Sequence, residues 1–185
     1  MHILVATDGV LSPELAASCV ARFYSDGDTV EVFTAINVPT EFLRGLGDSG
    51  IESASQIALE AAQGLGDRAA EQLAKKSGHQ ELHGDSPVLK ALAATARQRT
   101  QPVVDALGNT GVPAEASWAT TDNRTARTII ATMKSHDVGL LVIGSHGHGR
   151  FEGLLGSTGT KLVRLSPASV LIIKGEDGEN GDDGE

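Results

Sequence analysis

Apolar runs alternate with a helical segment at the end of the chain, and this pattern constrains the fold more than any other feature. Residues 138–143 (VGLLVI) and 168–174 (ASVLIIK) are continuous apolar runs, typical of strands buried on both faces. Between them a glycine-rich loop leads into a predicted helix at 157–165. Two strands joined through a helix pair in parallel, so the pattern predicts an α/β fold.

The same alternation runs through the earlier part of the chain. Further strands are predicted at 2–7, 29–37 and 113–121, and helices at 13–24, 87–107 and 124–135. Right-handed crossovers between these strands predict a Rossmann-like open sheet of five parallel strands with helices on both faces.

Two segments interrupt this plan. Glycines break residues 39–86 into pieces, so we expect a long excursion with one or two short helices. Residues 175–185 carry six acids, no base and nothing apolar, which predicts disorder. We therefore expect one domain over residues 1–174, with the excursion at about 39–86, and a disordered acidic tail at 175–185.

Composition excludes several classes of protein. The net charge is −9, and without the tail it is −3, so we do not expect a general nucleic-acid binder. A single cysteine, Cys19, excludes an internal disulfide. Residues 1–8 do not look like a signal peptide, and no apolar run approaches the roughly 20 residues that span a bilayer. We expect a cytoplasmic protein without a membrane partner.

The loop at 144–149 (GSHGHG) directly follows a buried strand, and Gly156-Ser157-Thr158 opens the next helix. Glycine lets backbone N–H groups approach an anion, and a helix start offers unpaired donors. The alternative is an ordinary glycine-rich turn, but the added histidines, Arg150 and the Ser-Thr pair exceed what a turn needs. We interpret the loop as a phosphate site. It is not a P-loop, because no G-x-x-x-x-G-K-[ST] string occurs.

Several polar residues allow two interpretations. No acidic or cysteine partner accompanies His146 and His148 at a ligand spacing, so no metal site is predicted. Arg150 either neutralises a phosphate or lies in solvent. Asp8 either contacts a ligand or only forms a turn with Gly9. Trp118, Tyr24 and His136 are interpreted as packing or surface residues.

The glycine loop resembles the carboxy-terminal signature of universal stress proteins, G-x-x-G, nine residues, then G-[ST]. Here eight residues separate Gly147 from Gly156. The amino-terminal ILVATDG resembles the family's first strand and its aspartate-bearing turn. The resemblance covers residues 1–37 and 87–174 and implies the adenine nucleotide alpha hydrolase-like fold.

The resemblance also implies a binding site, position by position. Asp8 would meet the ribose, Ala6 and Ile36 would wall the adenine, and the loop glycines would hold the phosphates. The full set that it implies is Ala6, Thr7, Asp8, Ile36, Ile143, Gly144, Gly147, His148, Gly149, Gly156, Ser157 and Thr158. The implied ligand is ATP, or AMP or cyclic AMP, with Mg²⁺ as a companion of the nucleotide.

We therefore expect a regulatory or stress-response protein that binds an adenine nucleotide as a sensed ligand. No catalytic residues are predicted, since the sequence lacks a Walker-type lysine, paired carboxylates and a nucleophile–base pair. Two alternative functions remain open: a slow ATPase, and an interaction module that does not bind nucleotide. We also expect a homodimer through the edge strand 168–174, unless residues 39–86 cover that edge.

Overall fold

The computed structural model describes residues 1–38, 87–145 and 155–174. The predicted excursion at 39–86, loop residues 146–154 and the acidic tail lie outside the described residues. The strands are β1 (His2–Ala6), β2 (Thr29–Asn37), β3 (Glu115–Thr121), β4 (Val138–Gly144) and β5 (Ser169–Ile173). The helices are α1 (Pro13–Ala21), α2 (Pro87–Asn109), α3 (Thr125–Ser135) and α4 (Ser157–Leu165).

The strands form one parallel sheet in the order β3-β2-β1-β4-β5, which confirms the predicted five-stranded architecture. Val5 in the central strand lies opposite Val32 on one side and Val142 on the other. The chain first builds outward from β1 to β3 and then returns to add β4 and β5. The strand order therefore reverses between β1 and β4, where open α/β sheets form a crevice at the carboxyl ends of the strands.

Alternate residues of each strand face opposite helical layers, as the pleat requires. Ile3 and Val5 pack in one apolar cluster with residues of α1 and α2. Leu4 and Ala6 pack in a second cluster with residues of α3 and α4. Helices on both faces are thus confirmed. Each fully buried large side chain, such as Phe33, contributes roughly 1.5–3 kcal/mol to folding.

The first helix begins where the sequence predicts and ends earlier. Ser12 caps it by accepting a hydrogen bond from the Leu15 N–H at 3.4 Å, and Pro13 takes the first helical position. The last turn tightens, since the Phe23 N–H donates to the Val20 carbonyl at 2.9 Å. The helix therefore ends at Ala21 rather than at residue 24.

None of the helices within the described ranges has the length and apolar character needed to cross a membrane.

Candidate functional site

A crevice of about 360 Å³ opens at the carboxyl ends of β1, β2 and β4. The first turns of α3 and α4 close its other side. Its volume lies in the range of small-molecule sites. The residues that line it are Ala6, Thr7, Asp8, Phe33, Ala35, Thr125, Ile129, Ile143, Gly144, Gly156, Ser157, Thr158, Gly159 and Leu162.

Hydrogen bonds within the turn after β1 fix the position of Asp8. The Thr7 N–H extends the sheet by donating to the Phe33 carbonyl at 2.9 Å. Thr7 Oγ1 then accepts from the Gly9 N–H at 3.0 Å, and Asp8 Oδ1 accepts from the Val10 N–H at 3.1 Å. The turn thus holds the exposed Asp8 against the crevice.

Gly9 is required for this turn by its backbone conformation. Its φ of +97° lies in the left-handed region, and an added Cβ would approach Arg99 Cγ to 3.2 Å. We expect Gly9→Ala to lower the free energy of unfolding by about 1–2 kcal/mol, measured by urea denaturation. Gly108→Ala is the matched control, because a Cβ there meets nothing within 4 Å in the part of the chain that the structure describes. Equal losses in both variants would contradict the strain argument.

The start of α4 provides backbone donors without a cap. Gly156 occupies the N-cap position with φ −59° and ψ 171°, and no side-chain cap is formed there. The first helical hydrogen bond runs from the Thr160 N–H to the Gly156 carbonyl at 2.9 Å. The N–H groups of the first turn have no acceptor within the helix, and they form the positive end of its dipole. This end of the crevice suits an anion.

A second groove of about 770 Å³ adjoins the crevice and runs between α3 and α4. It shares Thr125, Ser157 and Thr158 with the crevice. Its described lining contains four cationic side chains and no acidic one: Arg124, Arg127, Lys134 and Lys161. Arg124 Nε also lies 3.6 Å from Asp122 Oδ2, and Lys134 lies in the last turn of α3. The groove that adjoins the start of α4 therefore carries net positive charge along its length.

The crevice brings together eight of the residues predicted for the site: Ala6, Thr7, Asp8, Ile143, Gly144, Gly156, Ser157 and Thr158. The predicted Gly147, His148 and Gly149 lie outside the described residues, as do His146 and Arg150.

Ile36, which the resemblance placed beside the adenine, does not line the crevice. It is buried with Val38 and Ala96 in a cluster on the α2 side of the sheet. Its neighbour Ala35 lines the crevice instead, because successive side chains of a strand point to opposite faces.

Sequence reasoning also missed Phe33 of β2 and the crevice-facing residues of α3. The strand alternation offered a signal for Phe33 and Ala35, since they lie two residues apart on one face. Nothing in the local sequence marks Thr125 or Ile129 as crevice residues.

A polar cluster lies at the opposite, amino-terminal end of the strands. The buried Glu31 accepts hydrogen bonds on Oε2 from His2 Nε2 at 3.0 Å and from His136 Nδ1 at 2.8 Å. Ser117 donates its hydroxyl to the other oxygen, Oε1. Burial alone would raise the pKa of Glu31, but the hydrogen bonds from His2, Ser117 and His136 outweigh it and lower that pKa. His136 is thus a polar partner of a buried carboxylate rather than a packing residue.

Comparison with known proteins gives a family and a fold. The profile described as "Universal stress protein family" matches residues 1–174. The chain is similar in structure to an Arabidopsis thaliana universal stress protein family protein with AMP bound, at 14% identity and a TM-score of 0.56, over 99% of this chain and 97% of that one. Comparison with curated proteins found no match.

Two further solved structures show the same likeness. One is a universal stress protein in complex with cAMP, at 19% identity and a TM-score of 0.52, covering 94% of this chain and 96% of that one. The other is a universal stress protein from Archaeoglobus fulgidus, at 15% identity and a TM-score of 0.53, covering 94% of this chain and 93% of that one. At these identities the likeness establishes the fold.

Proposed function

We propose that this chain, which belongs to the universal stress protein family, binds an adenine nucleotide in the crevice at the carboxyl ends of β1 and β4. One observation carries the proposal. The uncapped start of α4 lies across a cavity of about 360 Å³ from Asp8, so an anion donor set and a hydroxyl acceptor border the same space. A nucleotide offers a phosphate to the first and ribose hydroxyls to the second.

The apolar part of the crevice suits a purine ring. Ala6 and Ala35 leave room beside the strand ends, and Ile143 supplies an apolar wall. In this arrangement Asp8 accepts a hydrogen bond from the ribose. Ala35 takes the role that the resemblance gave to Ile36.

The phosphates extend from the crevice toward the start of α4. Gly156, Ser157 and Thr158 border them there, and Gly147, His148 and Gly149 complete the set by position in the sequence. The cations of the adjoining groove favour a ligand with several phosphates, so ATP is our first choice, with Mg²⁺ as its companion. Solved relatives that bear AMP or cAMP support the adenine nucleotide class.

The nucleotide acts as a sensed ligand in a regulatory or stress-response role. Among the described residues that line the crevice, Asp8 is the sole ionisable side chain, so no acid–base pair is present there to activate water. A slow ATPase would have to use Asp8 with a bound divalent cation. An interaction module without nucleotide is the other alternative.

Two measurements on the purified protein separate these functions. Denaturation followed by mass spectrometry of the released small molecules should detect an adenine nucleotide. Phosphate release from added ATP should stay well below about 1 per second, near the low end of typical enzyme turnover. Faster phosphate release would show that the protein is an enzyme rather than a sensor. Loss of that activity in Asp8→Asn would identify Asp8 as the residue responsible.

We further propose a homodimer through β5. This strand is an edge of the sheet, and its backbone groups on that side have no strand partner among the described residues. Pairing with a second copy across a two-fold axis would satisfy both edges.

Ile172→Lys tests this dimer, because Ile172 is 36% exposed while Ile173 is buried. We expect light scattering to give twice the 19.1 kDa chain mass for the wild type and a shift to the monomer for the variant. Phe23→Lys, at another exposed apolar position, should leave the dimer intact. A wild type that is monomeric at tens of micromolar would exclude this assembly, because a dimer with a Kd of roughly 1 µM would be mostly assembled at that concentration.

A further inference from the structure

We propose that His2, Glu31 and His136 form a binding site for a zinc ion at the amino-terminal end of the sheet. The three side chains come from β1, from β2 and from the residue that follows α3. They share the α3 side of the sheet with the nucleotide crevice but lie at the other end of the strands. The site is therefore separate from the proposed nucleotide site.

The ligand atoms already lie close together. One atom from each side chain falls within 4.8 Å of the other two, and both histidine nitrogens lie within 3.0 Å of Glu31 Oε2. Zinc bonds of about 2.0–2.1 Å in a tetrahedral arrangement place ligands roughly 3.3 Å apart. A zinc ion would take the place of the two protons that the histidine nitrogens share with Glu31 Oε2. The three ligand atoms would each shift by about an ångström or less.

Neighbouring hydroxyls orient two of the ligands, as they do in established metal sites. Thr29 Oγ1 lies 2.7 Å from His2 Nδ1, which fixes that ring and leaves Nε2 directed at the cluster. Ser117 donates to Glu31 Oε1 and leaves Oε2 directed at the two histidines. These partners are held by the strand register, because His2 pairs with Thr29 between β1 and β2.

The donor set suits zinc better than calcium or magnesium. Two imidazole nitrogens and one carboxylate oxygen match the three-ligand zinc sites in which water takes the fourth position. His2 is 21% exposed, so solvent reaches the cluster from one side. Calcium and magnesium prefer oxygen ligands alone. Bound zinc would tie the start of β1 to β2 and to the end of α3.

Calorimetric titration of the full, nucleotide-free chain with zinc sulfate tests this site after treatment with chelator. We expect saturable binding with one ion at this cluster, and a rise in Tm of roughly 5–10 °C at a hundredfold excess of free zinc over Kd. His2→Gln should weaken this binding at least tenfold and abolish the visible absorption of cobalt bound in place of zinc. Because His2 is partly exposed at a strand start, this variant should fold.

Glu31→Gln should also weaken zinc binding at least tenfold. If the Glu31→Gln variant does not fold, His2→Gln alone decides the test. The double variant His79→Gln/His83→Gln is the matched control and should bind zinc at the cluster as the wild type does. The proposal fails if no saturable binding occurs below about 100 µM zinc. It also fails if His2→Gln retains the affinity and cobalt absorption of the wild type, because zinc would then bind elsewhere.

Discussion

Replacement of Gly156 by valine is expected to weaken adenine-nucleotide binding at least tenfold, or about 1.4 kcal/mol, while the protein remains folded. A Cβ at this position meets no atom of the described residues within 4 Å, and the φ of −59° suits any residue. The added side chain therefore meets the ligand rather than the fold. It stands beside the uncapped N–H groups of α4 and keeps a phosphate from approaching them.

Calorimetry with ATP gives the affinity of this variant, and thermal unfolding verifies its fold. Valine is a poorer N-cap than glycine, which lowers stability by about 1 kcal/mol or less. Gly108→Val is the matched control, since Gly108 lies near the end of α2, outside the crevice, with open space around its Cα. If folded Gly156→Val binds ATP as tightly as the wild type, the phosphates lie elsewhere.

Replacement of Glu31 by alanine is expected to lower the free energy of unfolding by about 3 kcal/mol. The substitution removes a carboxylate that accepts hydrogen bonds from His2, Ser117 and His136. Their donors would then lie in a partly buried space without an acceptor. Leaving buried polar groups unpaired costs more than the net value of the hydrogen bonds themselves.

Urea denaturation in the presence of a chelator measures this loss without any contribution from metal. Glu115→Ala is the matched control, because Glu115 lies opposite Glu31 in the β2–β3 register but is exposed. Its stability should stay within about 0.5 kcal/mol of the wild type. A loss below 1 kcal/mol in Glu31→Ala would show that water satisfies the cluster after the substitution.

The fold was accessible from the sequence because its signals are local. The continuous apolar runs at β1 and β4 mark buried parallel strands, and Ser12-Pro13 marks the start of α1. The end of α1 was not accessible, since it depends on a tight last turn that the local sequence does not specify.

The candidate site divides in the same way. Residues that directly follow a strand or open a helix, such as Asp8 and Gly156, could be assigned because the topology alone places them at the crevice. Ile36 was misplaced because one residue along a strand exchanges the two faces of the sheet.

The cluster around Glu31 shows the limit of local reasoning. Residues 2, 31 and 136 are far apart in the sequence and meet only through the strand register and the end of α3. A charged residue within the apolar strand 29–37 was the one available signal, since a buried carboxylate requires partners.

Titration of nucleotide-free wild-type protein with ATP, with GTP as the comparison, tests the central claim most directly. We expect saturable binding of one ATP per chain in the micromolar range. We expect at least tenfold weaker binding of GTP, because guanine has one more exocyclic polar group than adenine and the apolar side chains of Ala6, Ala35 and Ile143 offer it no hydrogen-bond partner. Absence of saturable binding up to about 1 mM ATP, or equal affinity for GTP, would contradict an adenine-nucleotide site in this crevice.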